Sequence, residues 1–255
     1  MTTTATVSRG SYDGIAAEAL AVRLRVPAVV ALARTGSTLD VAHSLASDRV
    51  ADGTLVLADM QTAGRGRSGK RWTSAPGAGI WLTLVERELD PATIALLALR
   101  LGIAAADALQ QFVDAPIGIK WPNDLYLAAG KLAGILAEAR WRDGAPEWVA
   151  VGMGVNVAPP PDIPDAVGLR AGTTRLAVLD ALVPALRAAA ARCGDLDASE
   201  LAALAARDIA RGRRAVAPGE GIVAGVSPAG ELLLRVPNGD VVAHRSGSLV
   251  FAEAP

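Results

Sequence analysis

The sequence predicts an α+β fold, a mixed or antiparallel sheet packed with helices, with a small β-rich appendage at the C-terminal end. Three observations carry that expectation. The segments IGIKWPND, LYLAAGKLAGILAEARW and EWVAVGMGVNV read as consecutive strands joined by short turns. Residues 92–113, ATIALLALRLGIAAADALQQFV, form the strongest helical segment by length and propensity. From Gly212 the chain becomes short β runs separated by PGEG, SPAG and PNG, which divides it into a larger unit, residues 1–210, and a small β-barrel-like unit, residues 211–255.

The elements follow in order. A single helical run covers 14–25, with Pro27 just beyond it. TGSTLDVAHSLASD at 35–48 opens with Gly and hydroxyl residues and then places apolar residues at 39, 41, 42, 45 and 46, the pattern of a capped amphipathic helix. TLVLADMQT at 54–62 reads as a short buried strand, and IWLTLVE at 80–86 as another, preceded by turn chemistry in APGAG at 75–79. After the long helix come the three strands, with AAGK at 128–131 turning one into the next. APPPD at 158–162 ends the sheet pattern, and helices are predicted at about 174–192 and 199–210.

Composition narrows the function. The chain has 255 residues, 51% of them apolar, which excludes a mainly disordered protein. A formal net charge of −1 argues against a general nucleic-acid binder, so any basic site must be local. Cys193 is the one cysteine; no intrachain disulfide can form, and a packed small side chain is a better reading of it than a nucleophile. The first fourteen residues lack the apolar core of a signal peptide, and a cytoplasmic location is the expectation. The Ala/Leu-rich run 176–191 is interrupted by Pro184 and Arg187 and reads as a buried helix rather than a membrane span. His43 and His244 match no metal-ligand spacing, and no metal site is predicted.

The stretch GRGRSGKRW at 64–72 parses in three ways. As a P-loop or a dinucleotide fingerprint it would run into a helix whose N-terminus receives phosphates. Here it runs into a turn and a strand. Arg71 stands where a P-loop needs Ser or Thr, and Glu86 or Glu88 would close a dinucleotide site only by coincidence. The remaining functional reading is an anion loop: glycines let the backbone approach a ligand, and guanidinium forks project between them. Its rival is a solvated charged loop.

The combination of TGST at 35–38, QTAGRGRSGKRWTS at 61–74, KWPNDLY at 120–126, GKLAGILAE at 130–138 and VGMGVNV at 151–157 resembles biotin–protein ligases, in that order and with matching spacing. The resemblance covers about residues 30–160, and the β-rich tail is similar to that family's SH3-like C-terminal domain. It implies a class II synthetase-like catalytic domain and a two-step reaction. Biotin and Mg-ATP give biotinyl-5′-adenylate, which then acylates one lysine of a carboxylase's biotin carboxyl carrier domain. Carried over by position, Ser37, Thr38 and Gln61 would line the biotin pocket. Arg65, Gly66 and Arg67 would close over biotin and the adenylate phosphate, Lys131 would reach the carboxyl–phosphate junction, and Gly134 would lie against the ring. Asn123, Asn156 and Trp72 are further candidates around the nucleotide.

The chemistry asks for such groups independently. A carboxylate attacking ATP brings two anions together, so fixed cations and N–H donors are needed rather than a nucleophilic side chain. The acceptor amine, with an ordinary pKa near ~10.4, is almost wholly protonated at neutral pH, and a carboxylate would help take its proton. Asp124 is the candidate: Pro122 restricts Trp121 to an extended conformation, and Asn123-Asp124 favours a turn that presents the carboxylate. Each candidate has a plainer reading. Asp124 would only cap a turn, Ser37 and Thr38 would only cap a helix, Lys131 would be an idle hairpin residue, and Trp72 and Trp121 would only pack.

The resemblance has one gap. Biotin ligases usually carry Asn after the TGST threonine, where this chain has Leu39, and Asp40 is the residue that would compensate. Lipoate–protein ligases and octanoyl transferases are the nearest enzymatic rivals, and a binding protein without turnover is another. About 34 residues precede TGST, too few for a winged DNA-binding domain, so the expectation is a monofunctional enzyme without DNA or membrane partners. The oligomeric state, a homodimer included, stays open at this stage.

Overall fold

In the computed structural model residues 10–87, 89–128 and 130–252 are described. Glu88, Ala129 of the AAGK turn and both chain ends therefore lie outside the described residues. The elements are β1 (Ser11–Tyr12), β2 (Ile15–Ala16), α1 (Ala17–Leu24), β3 (Val29–Thr35), α2 (Thr38–Ser47), β4 (Thr54–Gln61) and β5 (Gly79–Glu86). Next come α3 (Leu97–Leu109), β6 (Ile117–Lys120), β7 (Asp124–Leu127), β8 (Gly130–Arg142) and β9 (Ala145–Asn156). The chain continues through α4 (Arg175–Ala190), α5 (Ala198–Arg207), β10 (Arg214–Ala217), β11 (Gly221–Val226), β12 (Leu232–Arg235), β13 (Val241–His244) and β14 (Val250–Phe251).

A seven-stranded sheet ordered β3-β4-β5-β9-β8-β7-β6 forms the centre. Only the β3–β4 pair is parallel, so the sheet is mixed, as the sequence predicts. Side-chain alternation assigns its two faces. Leu55, Leu57, Leu82, Leu84, Val151 and Met153 point into a core shared with α1, α3 and α4, while Val56, Val85 and Ala150 point to the opposite face beneath Leu39, Ala42 and Leu45 of α2. The apolar segment 91–112 is long enough to span a membrane by length and composition, yet most of it is buried inside this fold, where it packs on α4, β6 and β8.

Strands β10–β14 make a separate five-stranded antiparallel sheet. Its core residues Ala215, Val223, Leu232 and Leu234 continue the main core. Trp121 Nε1 donates to the Gly230 carbonyl at 3.0 Å, and Leu196 N donates to Pro228 O at 2.9 Å, fastening this sheet to the larger one.

Three local expectations change. Strand β3 and the β1–β2 ribbon are additional to the elements read from sequence. The predicted helix 92–113 is α-helical only from Leu97 to Leu109, with a 3₁₀ turn at each end. Asp90 caps the first of these through Ala92 N, with Pro91 in the opening position. Finally, Asp124 is not in the turn but is the first residue of β7, paired across the hairpin with Lys120, and the Trp121–Pro122 bond within the turn is cis.

Candidate functional site

On the α2 face of the sheet lies a cavity of about 400 Å³ walled by α2, the Gly/Arg loop, the β6–β7 turn, β8, β9 and residues 248–251 of the small sheet. That volume suits a small organic ligand. Its floor exists because the strands carry glycine where they face it. A Cβ on Gly154 would come 2.5 Å from the Trp72 ring, one on Gly134 would come 3.1 Å from it, and one on Gly152 would come 3.0 Å from Leu39. Trp72 lies over Gly134 and Gly154, edge-on to Trp81 with ring centroids 6.4 Å apart, and its buried Nε1 has no hydrogen-bond partner among the described residues.

One end of the cavity is polar and uncharged. Ser37 is the N-cap of α2 and its Oγ accepts from Leu39 N at 3.3 Å. Thr38 donates to Gln61 Oε1 through its backbone N (2.8 Å) and its Oγ1 (3.1 Å), while Thr83 Oγ1 donates to Thr38 Oγ1 at 2.9 Å. Gln61 Nε2 donates to Ser74 Oγ at 2.8 Å, which fixes the orientation of its amide. Ser37 thus caps the helix and faces the cavity at once, while Thr38, the first helical residue, faces it without capping. The apolar side chains on this face of the sheet are Leu39 and Leu136, with the Trp72 ring beside them.

The other end is cationic. Lys131 Nζ stands 2.8 Å from Asp124 Oδ1 and 5.2 Å from the centre of the Trp72 ring. Asp124 Oδ1 is buried without a well-oriented hydrogen bond, so the ammonium contact is an ion pair of loose geometry. Asn123 donates through Nδ2 to Ile135 O at 2.8 Å and accepts through Oδ1 from Arg67 at 3.0 Å. Arg67 also donates to Gly247 O at 3.0 Å. Burial pushes the Arg67 guanidinium below its ordinary pKa. Burial, followed by the cations Lys131, Arg213 and Lys70, does the same for Lys120 against the pull of Asp124.

The Gly/Arg loop folds back on itself. Arg65 and Arg71 form an isolated antiparallel bridge, Gly66 N donates to Lys70 O at 2.7 Å, and Trp72 N donates to Gly64 O at 2.9 Å. Ser68 and Gly69 turn the chain with φ of 54° and 73°. No phosphate-binding helix follows, in line with rejecting the two nucleotide-loop parses, and Glu86 is instead buried against Arg187. Glu88 lies outside the described residues.

The structure therefore brings Ser37, Thr38, Gln61, Arg65, Gly66, Arg67, Trp72, Asn123, Asp124, Lys131 and Gly134 around one cavity. Asn156 is the exception. It is buried behind Lys131, whose carbonyl accepts from its Nδ2 at 3.2 Å, and it does not line the cavity wall. Asp40 does not take over the missing asparagine contact: its carboxylate is exposed and faces Arg65 at 3.4 Å. Leu39 is buried between helix and sheet. Sequence reasoning passed over Lys120, Lys70 and Arg71 as separate contributors, and also the small sheet's Ser248–Phe251 edge. Lys120 was legible within KWPND; the edge was not, since only tertiary packing delivers it.

Residues 31–156 match the Biotin/lipoate A/B protein ligase family. The biotin–[acetyl-CoA-carboxylase] ligase of Paracoccus denitrificans is 37% identical over 235 residues, covering 82% of this chain and 94% of that protein. The like-named ligase of Mycobacterium tuberculosis is 40% identical over 146 residues, 54% of this chain and 53% of the relative. The bifunctional ligase/repressor of Bacillus subtilis is 37% identical over 131 residues, 51% of this chain and 40% of the relative. The chain thus spans about half or less of the length of several curated relatives it matches. Among solved structures, the biotin protein ligase from Aquifex aeolicus in complex with biotin and ATP aligns with a TM-score of 0.67 and 25% identity, over 88% of this chain and 99% of that one. A family match over residues 31–156, and a relative 37% identical that is matched along 94% of its length, lead to one conclusion: this chain belongs to the biotin/lipoate A/B protein ligase family.

Proposed function

We propose that the protein is a biotin–protein ligase that activates biotin with ATP, supplied as its magnesium complex, and transfers it to a lysine of a carboxylase's biotin carboxyl carrier domain. One observation carries this reading: a single cavity joins an uncharged hydrogen-bonding end to a cationic end across an apolar wall. A ureido ring offers N–H donors and a carbonyl acceptor to Ser37, Thr38 and Gln61, its hydrocarbon chain suits the apolar wall, and its carboxylate reaches Lys131 and Arg67. A dithiolane ring has no such groups, and at the buried polar end it would leave hydroxyl and amide groups unpaired. That favours biotin over lipoate.

In the first step a biotin carboxylate oxygen attacks the α-phosphorus of ATP and pyrophosphate leaves. Arg67, Lys120 and Lys131 provide fixed positive charge where two anions meet and where charge accumulates on the leaving group. Trp72 holds the Lys131 ammonium over its ring face. Asn156 and Asn123 act by positioning, the first through the Lys131 carbonyl and the second through Arg67 and the Ile135 carbonyl. In the second step the carrier lysine's amine attacks the acyl carbon, AMP leaves and an amide forms. Asp124 accepts the proton the amine must lose. Its ion pair with Lys131 links the two steps, because an arriving phosphate draws Lys131 away and frees the carboxylate. This chemistry and a single cysteine suit a reducing cytoplasm.

The test is ATP–pyrophosphate exchange with biotin and lipoate run in parallel. Biotin-dependent exchange is the expected result. Exchange driven by lipoate alone, or by neither acid, rejects the proposal.

A further inference from the structure

The two loop arginines make opposite kinds of contact. Arg65 donates to Glu138 Oε2 at 2.6 Å and stands 3.4 Å from Asp40 Oδ1. Arg67 meets only neutral acceptors, Asn123 Oδ1 and Gly247 O, each at 3.0 Å. Arg65 is held in direct ion pairs, whereas Arg67 forms none among the described residues and feels the Asp124 carboxylate only at longer range. The loop therefore crosses the cavity as a bridge fastened at both ends, by Arg65 to β8 and α2 and by Arg67 to the β6–β7 turn and the small sheet.

Glu138 is itself held in place. Trp148 Nε1 can only donate, and it does so to His43 Nδ1 at 2.9 Å. The hydrogen of the His43 ring then sits on Nε2, which donates to Glu138 Oε2 at 3.0 Å. Glu138 faces the cavity side because it alternates in β8 with residues of the opposite core, four positions beyond Gly134.

We infer that Glu138, oriented by His43 and assisted by Asp40, is the positioning residue of the arginine loop. It fixes Arg65 as a staple, so that the loop lies over the cavity and Arg67 presents a guanidinium that no direct ion pair occupies. The positioning of the loop follows from these contacts alone; its consequence for biotin rests on the proposed ligase reading.

The loop provides its own probe, since trypsin cleaves after Arg67, Lys70 and Arg71. Partial digestion of the full chain without ligands is followed by mass spectrometry in wild type, Glu138→Gln, Arg65→Gln and the double variant. Each single change is expected to speed loop cleavage by about five-fold, the upper range for one exposed ion pair, with cleavage elsewhere unchanged. The double variant is expected to be no faster than Arg65→Gln alone, which already removes the contacts to both Glu138 and Asp40. Glu147→Gln, which breaks the exposed pair with Arg142 at the far end of the same hairpin, is expected to leave loop cleavage as in wild type. In the exchange assay Glu138→Gln should raise the KM for biotin by about five-fold with kcat held within about two-fold. Unchanged loop cleavage in both single variants, or additive effects in the double, overturns the staple. If wild type shows no biotin-dependent exchange, the ligase reading fails while the cleavage data still decide the staple.

Discussion

Glu86 lies at the end of β5 with its residue only 3% exposed, far from the cavity, and it offers a quantitative test of the fold. Arg187 of α4 bonds its Oε2 and also reaches Asp52 Oδ2 at 3.0 Å, tying helix, strand and the turn at Gly53 together. The Glu86 Oε1, however, is buried with no hydrogen-bond partner among the described residues. Burial, only partly offset by Arg187, raises the carboxyl from 4.5 to about 7. The sign follows from proton linkage. Between these two values the folded state holds a proton that the unfolded chain has released, so stability falls as pH rises. The contribution is fully present below 4.5 and lost on passing about 7. At about 1.4 kcal/mol per pH unit, the loss approaches ~3 kcal/mol. Urea unfolding of wild type and Glu86→Gln from pH 4.5 to 7.5 isolates this group, because other titrations cancel in the difference. The stability of wild type relative to the variant should fall by ~3 kcal/mol across that range. A flat difference, or one rising with pH, would refute the reasoning and show that attraction to Arg187 outweighs burial.

Four further outcomes follow from the geometry. Lys131→Ala should lower biotin-dependent pyrophosphate exchange by about a hundred-fold or more, whereas Asp124→Ala should spare exchange relative to acylation of the carrier lysine; an Asp124→Ala enzyme with undiminished acylation removes it as the base. Gly154→Ala places a methyl group 2.5 Å from the Trp72 ring and should cost about 1–3 kcal/mol in urea unfolding together with a raised KM for biotin. Arg100 is buried, bonds Glu200 Oε1 at 2.8 Å and donates to the carbonyls of Arg192, Gly194 and Asp195 beyond α4. Arg100→Ala leaves Glu200 with Arg192 at 3.3 Å and Asp197 N at 3.0 Å but strips the three carbonyls of their donor, and should cost about 1–3 kcal/mol by the same measurement.

Much of this fold was legible because its signals are local. The cap and apolar spacing of TGSTLDVAHSLASD predict α2, and Ser37 does cap it. Strand β3 gave less away. VVALART is a short apolar run with no hairpin turn beside it, and its parallel pairing with β4 depends on a crossover through α2. The cavity residues were legible because they lie in compact motifs, each on one strand or turn. Asp124 lines the cavity, but not through the turn expected of Asn123-Asp124: the hairpin register that pairs it with Lys120, and then with Gly134, presents it as a strand residue.

The contact pattern of the arginines could not be read in advance, because it depends on which acids other elements deliver. In sequence, Arg65 and Arg67 are equivalent positions of one alternating motif. Glu138 reaches Arg65 only through the β8–β9 register and the packing of α2, and Gly247 reaches Arg67 only through docking of the small sheet. The glycines behave in the reverse way, since their meaning is local. In VGMGVNV, Val151, Met153 and Val155 alternate into the core while Gly152 and Gly154 face α2 and Trp72. Period-two alternation of large and absent side chains marks one strand face as core and the other as a surface against which something must lie close. At Gly152 that something is Leu39, and at Gly154 it is the indole beside which Lys131 rests, so Gly154 both opens the cavity and sets how closely the indole next to the Lys131 ammonium approaches the sheet.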